Sequence, residues 1–208
     1  MSVSFPVEIT TVHIGRSPQI QIQVFYPRVV GMQNQAFQRS INHSIIRLTQ
    51  DLIDKQVGDS PSTVVDLIGY YEVKNNQRDV LSLSLSNYTY HYHAAHGMTY
   101  IKSLSFDMKE EKLLNLSDLF KPGSNYVKRI SDIIQRQITE RDIFTLEPFT
   151  QIAPNQDFYM ADKTLVIYFQ LYELTAYAFG FPMFPISVYE LQDIIREDGP
   201  LGRLMENN

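Results

Sequence analysis

The first quarter of the chain changes from a two-residue to a four-residue hydrophobic period. Apolar side chains alternate with polar ones over residues 7–11 and again over residues 20–24. This alternation predicts two half-buried strands, the second of which ends at Tyr26-Pro27 because proline has no backbone donor. Between residues 32 and 57 the apolar positions recur every three or four residues, which predicts a helix. Its buried face would consist of Phe37, Ile41, Ile45, Leu48 and Leu52.

Residues 78–108 predict one long hairpin that turns at residues 94–97, after a strand over residues 64–73 and a turn at Asn75-Asn76. Leucines alternate with serines over the first half of its first strand, and tyrosines then alternate with threonine and histidine. The apolar positions change parity at Ser86-Asn87, which predicts a β-bulge or a sharp twist there. The alternative is an unbroken strand with leucines packed on one face and tyrosines on the other.

The second half of the chain predicts alternating helices and strands. A short helical turn is expected over residues 115–120, followed by a helix that Ser124 caps. Residues 164–171 are apolar at both parities, as in a central strand covered on both faces. The sequence over residues 187–190 is a capping box that opens a final helix, and the polar tail after Arg196 is expected to be frayed.

These elements predict an α+β fold, in which an antiparallel sheet with a long central hairpin packs against about three helices. We divide the chain into an N-terminal strand-strand-helix module, residues 1–62, and a C-terminal α+β module, residues 63–208. We expect the two modules to pack as one compact unit.

Composition narrows the classes of function. The 208 residues include 18 Lys and Arg, 23 Asp and Glu and no cysteine, for a net charge of −5. An acidic chain is a poor match to nucleic acid, and the lack of cysteine excludes thiolate catalysis and disulfides. No window is long and apolar enough for a membrane span, and the N-terminus lacks the features of a signal peptide, so this pattern predicts a cytoplasmic protein. No cofactor motif is present, and we expect no cofactor.

Histidines form the first candidate site. His91 and His93 are two residues apart on a predicted strand, so their side chains would share a face at a spacing that can chelate zinc. His96 in the turn, or a distant carboxylate, would complete such a site. Because no third ligand is marked by spacing, a polar strand face is the favoured interpretation, and a metal-dependent hydrolase remains the alternative.

Aromatic residues form the second candidate site, since tyrosine is enriched where proteins bind one another. The stripe of Tyr88, Tyr90 and Tyr92 is either a binding platform or the edge of a core, and we favour the core. In the loop over residues 172–182, Glu173 is a catalytic candidate if it lies beside His96. We favour a structural carboxylate that is hydrogen-bonded to backbone amides.

Several short motifs resemble a pair of bacterial modules. Tyr26-Pro27 followed by Ile41-Asn42 resembles the first module, in which a strand ending in Tyr-Pro leads into a helix carrying Ile-Asn. Further along, the matching motifs of the hairpin, the turn after it and the second module are Ala95-His96-Gly97, Phe106-Asp107, Leu116–Phe120, Leu165–Phe169, Tyr172-Glu173, Tyr177-Ala178, Gly180–Pro182 and Pro185–Leu191. Together they span about residues 5–195. The chain is therefore similar to a family of paired, largely uncharacterised domains of Firmicutes.

This family forms the extracytoplasmic part of RsiV-type anti-sigma factors, which bind lysozyme, and precedes the catalytic domain of some peptidoglycan deacetylases. The resemblance implies a non-catalytic recognition module of the cell envelope, with a lysozyme-type hydrolase or a peptidoglycan fragment as partner. We find no membrane anchor, sigma-binding segment or deacetylase domain in this sequence, so only the recognition role is expected. A structural or oligomerisation domain is a further alternative. The residues expected to bind are Tyr88, Tyr90, Tyr92, His96, Tyr172, Tyr177 and Phe181.

Overall fold

A six-stranded sheet forms one half of the computed structural model, which describes residues 7–16 and 21–206. Its strands follow one another across the sheet in chain order, and every neighbouring pair is antiparallel except β2 and β3. They are β1 (Glu8–Arg16), β2 (Gln21–Val30), β3 (Val64–Gln77), β4 (Val80–His91), β5 (Met98–Asp107) and β6 (Lys112–Leu113). The parallel pair arises because a long helix, α1 (Gln35–Val57), carries the chain back between the two strands.

Helix α1 covers one face of this sheet with the apolar stripe that the sequence predicts. Asn34 caps it by accepting hydrogen bonds from the backbone amides of Ala36 and Phe37. Four of the five predicted stripe residues are buried, and the remaining one, Leu48, packs partly buried against the same core. Leu81, Leu83 and Leu85 of β4 meet the helix from the sheet side.

Strand β2 continues past Tyr26-Pro27 to Val30, so the predicted end of this strand is wrong. Its pairing with β3 stops at Val24, and beyond that point only β1 continues the ladder. The backbone amide and carbonyl of Val29 point away from β1 and bond to the side-chain amide of Asn42 at 2.8 Å each. Pro27, two residues earlier, presents its nitrogen on that same side, where no strand needs a donor.

The hairpin of β4 and β5 is confirmed, and the bulge predicted near Ser86-Asn87 is wrong. The two strands pair without a register shift from Val80 opposite Asp107 to Thr89 opposite Met98. The leucines therefore lie on one face of β4, and the serines and tyrosines share the other, as the alternative interpretation holds. The apparent change of parity arises because the serine half of that second face is buried as well.

A second sheet covers the serine face of β4, and a second helix packs against the last strand of that sheet. The strands are β7 (Phe158–Ala161), β8 (Thr164–Tyr168) and β9 (Met183–Ser187), in that antiparallel order, and the helix is α2 (Tyr126–Glu140). The Ser82 hydroxyl joins the layers, since it lies 2.9 Å from the Ser105 hydroxyl and accepts a 3.0 Å bond from the Met160 amide. Strand β8 is central and buried, as its sequence predicts.

Four local predictions need correction. The turn between β3 and β4 lies at Arg78-Asp79, which both have φ of 54°, whereas Asn75-Asn76 lie within β3. Asn125, rather than Ser124, caps α2. The segment that begins at Ser187 forms a short 3-10 helix over Val188–Leu191 instead of the final α-helix.

The tail after Arg196 is the fourth correction, because it folds into a buried helix, α3 (Pro200–Met205). The guanidinium of Arg203 donates to the backbone carbonyls of Arg78, Asp79 and Asp198 at 2.9–3.2 Å and to Asp107 Oδ1 at 2.8 Å. The Asp107 carboxylate is fully buried, and the Arg203 side chain is 10% exposed. Tail and hairpin tip are therefore joined by a buried ion pair that no local pattern signals.

The fold is α+β, as predicted, with three α-helices in the described part of the chain. The large sheet runs through the proposed boundary at residue 62, since β2 pairs with β3 across it, and the division into two modules stays a prediction. No helix within the described ranges is both long and apolar enough to cross a membrane.

Candidate functional site

Two loops that are distant in sequence meet at one end of the molecule. They are the β4–β5 loop, residues 92–97, and the segment after β8, residues 169–182. The Tyr177 hydroxyl donates to the Gly97 carbonyl at 3.0 Å, and the His96 and Tyr177 rings lie 4.2 Å apart between centroids. His96 Nδ1 donates to the Gly97 carbonyl at 2.8 Å, and His96 Nε2 is hydrogen-bonded to the Tyr172 hydroxyl at 3.2 Å. We name His96, Tyr172 and Tyr177 the aromatic cluster.

Gly97 is the residue that lets the β4–β5 loop close on the strand. A Cβ atom built at this position would lie 2.2–2.3 Å from ring atoms of Tyr88, well inside contact distance. Only glycine therefore allows the Tyr88 ring to lie against the loop backbone. Tyr88 thus supports the aromatic cluster from beneath, and its own ring is half-buried.

Two side chains hold the second loop in place. The side-chain amide of Gln170 makes two hydrogen bonds to the backbone of Ile101, as a neighbouring strand would. Its Oε1 accepts from the Ile101 amide at 3.2 Å, and its Nε2 donates to the Ile101 carbonyl at 2.6 Å. Glu173 accepts a 2.7 Å hydrogen bond from the Gln170 amide and a 3.3 Å bond from Gln156 Nε2. The structural interpretation of Glu173 is confirmed: its carboxylate bonds to a backbone amide, and neither oxygen bonds to His96.

Tyr172 is the member of the aromatic cluster whose backbone is strained. Its φ is 66°, a left-handed conformation that is rare for a bulky side chain, and it is 48% exposed. Such strain is retained where surrounding contacts fix it, and it is concentrated at binding sites. Here the surrounding contacts are the ring packing and the hydrogen bond to His96.

A groove of about 560 Å³ adjoins Tyr172. Leu146 and Phe149 line one part of it, and the carboxylates of Glu147 and Glu173 lie at its walls. Leu146 is tied to the second loop by its amide, which donates to the Leu174 carbonyl at 3.0 Å. Phe144, two residues before Leu146, is 82% exposed. Apolar and aromatic surface beside acidic groups is typical of a surface that binds a basic partner.

The other predicted binding residues are distributed around this region. Tyr90 lies on the same face of β4 as Tyr88 and is half-buried, and Phe181 is half-buried in the second loop. Tyr92 lies just beyond the end of β4 and is 66% exposed. The tyrosine stripe is therefore graded from half-buried to exposed, and the assignment of these residues to binding stays a prediction.

His91 and His93 do not share a strand face, so the geometric premise of a paired metal site is wrong. Strand β4 ends at His91, and His93 lies in the turn with φ of 67°. His91 Nδ1 lies 2.7 Å from Thr63 Oγ1, and Nε2 donates to the Gln56 carbonyl at 2.8 Å. Within residues 7–16 and 21–206, no three or more His, Asp or Glu side chains are grouped to hold a metal ion.

A polar network around the buried Tyr168 side chain, beneath the second loop, was not expected from the sequence. The Tyr168 hydroxyl lies 2.9 Å from the Ser103 hydroxyl, and Lys102 donates to both oxygens of Asp157 at 2.8 Å. Burial, followed by the nearby Asp157 carboxylate, raises the pKa of Tyr168 above its ordinary value of 10. These groups come from β5, β8 and the segment before β7, so only the fold brings them together. They fix the base of the second loop.

Residues 117–189 match the family model described as "Protein of unknown function (DUF3298)". This segment is similar to DUF3298 domains. It extends from the short helical turn before α2 to the 3-10 helix after β9, and therefore contains the whole second sheet and the second loop of the aromatic cluster.

Two proteins of Bacillus subtilis (strain 168) are similar to the chain over longer stretches. The anti-sigma-V factor RsiV is 28% identical over 192 residues, which cover 85% of this chain and 66% of RsiV. The peptidoglycan-N-acetylmuramic acid deacetylase PdaC is 23% identical over 134 residues, which cover 61% of this chain and 28% of PdaC. The chain thus spans just under two thirds of RsiV and little more than a quarter of PdaC.

Two crystal structures of DUF3298-family proteins share the whole fold. The protein from Bacteroides fragilis aligns with a TM-score of 0.69 at 14% identity, covering 98% of this chain and 99% of that protein. The protein from Pseudomonas aeruginosa aligns with a TM-score of 0.67 at 15% identity, covering 99% of this chain and 98% of that protein. The fold that this chain shares with these two proteins therefore includes β1, β2 and α1, which precede the matched segment.

Proposed function

We propose that the chain is a recognition module of the bacterial cell envelope that binds a protein partner through the aromatic cluster and the adjoining groove. The partner class is a basic wall hydrolase of the lysozyme type. A glycan fragment of the wall is the alternative ligand for the same surface. The envelope setting rests on the similarity to RsiV and PdaC, and the placement rests on the geometry of the two loops.

The meeting of His96, Tyr172 and Tyr177 is the observation that carries this proposal. Residues 76 to 81 positions apart in sequence are held together by hydrogen bonds to the Gly97 carbonyl and by ring contacts. Tyrosine offers large contact area with few rotatable bonds, so a preformed group of this kind costs little entropy when it binds. Strain at Tyr172 indicates that the position of this ring is fixed by the fold.

The groove beside the aromatic cluster favours a basic protein over a neutral sugar. Its acidic groups, Glu147 and Glu173, lie next to apolar side chains, and this combination resembles the charged rim and apolar centre of protein interfaces. A sugar would bind to planar polar side chains beside a stacking ring. Gln151 and Gln156, whose side chains end in planar amides, line the groove beside Tyr172, so a glycan is the alternative ligand.

The test is a binding measurement with lysozyme as the probe. Tyr172→Asn removes the ring and keeps a residue that tolerates positive φ, so the loop keeps its backbone. We expect it to weaken lysozyme binding at least tenfold in calorimetry, as is usual for a central aromatic anchor. Tyr70→Ala is the matched control, because Tyr70 is 50% exposed on β3 and lies outside the groove.

The same titration with a soluble peptidoglycan fragment separates the two ligands. Binding of the fragment alone, lost in Tyr172→Asn, would replace the protein partner by the glycan. Equal lysozyme affinity of wild type, Tyr172→Asn and Tyr70→Ala would refute the placement. No binding of either probe would refute the proposed function.

A further inference from the structure

Most of the cationic side chains that the structure describes are already engaged. Nine of them form ion pairs, among them Lys102, Arg136 and Arg203. Others donate to backbone carbonyls or lie over aromatic rings. Among the lysines and arginines whose side chains the structure describes, those for which no ion pair, side-chain hydrogen bond or ring contact is found are Arg28, Arg39, Arg47 and Lys109.

Two of these four cations, Arg28 and Arg39, line one groove between β2 and α1, and Arg47 follows on α1 eight residues after Arg39. The groove has a volume of about 470 Å³, and Arg28 lines its strand wall. Arg39 and His43 line its helix wall together with Gln38 and Asn42, and no acidic residue lines it. In a chain with a net charge of −5, a groove with only positive charge calls for a ligand that supplies the negative charge.

Helix α1 carries a row of basic side chains that begins at the groove. Arg39, His43 and Arg47 recur every fourth residue, so they follow one face of α1. The rise of 1.5 Å per residue places successive members about 6 Å apart along the axis. All three side chains are exposed. A row of this kind matches a linear ligand that repeats its charge at short intervals better than a single anion.

We propose that the groove between β2 and α1 binds a linear phosphodiester polymer with a short polyol repeat. Guanidinium groups bind phosphate oxygens in a forked geometry, and neither Arg28 nor Arg39 has to break an existing ion pair to do so. A three-carbon polyol between phosphates repeats the charge over a distance similar to one step of the helical row. This site shares no residue with the aromatic cluster and does not depend on what that cluster binds.

Nucleic acid has the same repeating phosphate, but the groove suits it poorly. Single strands are held by stacking of bases on exposed aromatic rings, and Tyr26 is the aromatic residue that lines this groove. Its ring is half-buried, and the opposite wall is a row of polar and cationic helix residues. The acidic charge of the whole chain also opposes a long nucleic acid.

The experiment measures binding of a short poly(glycerol phosphate) by calorimetry at several salt concentrations. Each phosphate contact makes the slope of log K against log salt concentration more negative by about 0.7. Over the tenfold range from 1 M to 0.1 M salt, one contact therefore increases the affinity about fivefold. Arg39→Gln should therefore weaken binding about fivefold, and the triple replacement of Arg28, Arg39 and Arg47 by glutamine about a hundredfold.

Lys109→Gln is the matched control, since it removes an equally unengaged charge that does not line the groove. Unchanged binding in this variant together with loss in the triple variant supports the proposal, and unchanged far-UV circular dichroism shows that the triple variant is folded. Equal loss in Lys109→Gln would show that net charge alone matters and would overturn the site. Oligo-dT of equal charge bound as tightly as the polymer would overturn the polymer class, and no binding to either would overturn the proposal.

Discussion

Replacing Arg203 by methionine should remove the contact that joins α3 to the tip of the β3–β4 hairpin. Methionine keeps most of the volume of the side chain and removes the guanidinium, so packing changes little. Four acceptors then lose the hydrogen bond from the guanidinium: three backbone carbonyls and Asp107 Oδ1. The Asp107 carboxylate is fully buried, and it keeps only the backbone amides of Lys109 and Glu110 as donors.

Breaking a buried ion pair from one side costs about 3–5 kcal/mol, because the remaining charge is left without compensation. The free energy of unfolding of a domain is about 5–15 kcal/mol, so the variant should fold but be marginally stable. For 150–250 residues, 1 kcal/mol corresponds to about 2–4 °C in Tm, which gives a fall of about 6–20 °C.

The assay is urea unfolding followed by circular dichroism, with calorimetry for Tm. Arg136→Met is the control, because Arg136 is 52% exposed and its pair with Glu190 should contribute about 0–1 kcal/mol. A double-mutant cycle with Asp107→Asn isolates the pair, and we expect the two losses to be non-additive by more than about 1 kcal/mol. A loss below 1 kcal/mol for Arg203→Met, or strict additivity in the cycle, would refute the reasoning.

Two further predictions concern the end of the molecule that carries the aromatic cluster. Gly97→Ala should destabilise the protein by about 1–3 kcal/mol, because its Cβ would overlap the Tyr88 ring, and the added change Tyr88→Ala should remove most of that clash in urea unfolding; equal stability of Gly97→Ala and wild type would contradict the fit. The pKa of Tyr168 is higher in the folded chain than in the unfolded chain, where it is about 10. The contribution of Tyr168 to stability is therefore complete well below about pH 10 and is lost as the pH rises from there toward the pKa of the folded state. The stability difference between wild type and Tyr168→Phe should therefore shrink from pH 9 to pH 11.5, and a constant difference would show that Tyr168 titrates normally.

Local patterns predict those helices and strands that are buried on one face and exposed to solvent on the other. Helix α1 has one apolar face and one wet face, so its period is visible in the sequence. Strand β4 misleads for the opposite reason: both of its faces are buried, and the small serines on the second face make room for the second sheet. In the sequence, a serine that is buried between two layers cannot be distinguished from a serine that is exposed to solvent.

The features that sequence patterns do not predict depend on contacts between residues that are distant in the chain. Arg203 reads as part of a polar tail, because its partners at Arg78, Asp79 and Asp107 lie between 96 and 125 residues away. The aromatic cluster was predicted as single residues on two segments, and the structure supplies the arrangement that joins them. The cationic groove was missed because its charges come from β2 and α1, and neither element is unusually basic.

Asn42 has a consequence for the free edge of strand β2. Where β2 leaves β3, the strand would expose an unpaired edge, and such edges recruit strands from other molecules. The side-chain amide of Asn42 occupies the bonding groups of Val29, and Pro27 offers no donor beside it. One helix residue thus ends the sheet without a further strand, and the space that a further strand would have filled remains open as solvent-accessible surface.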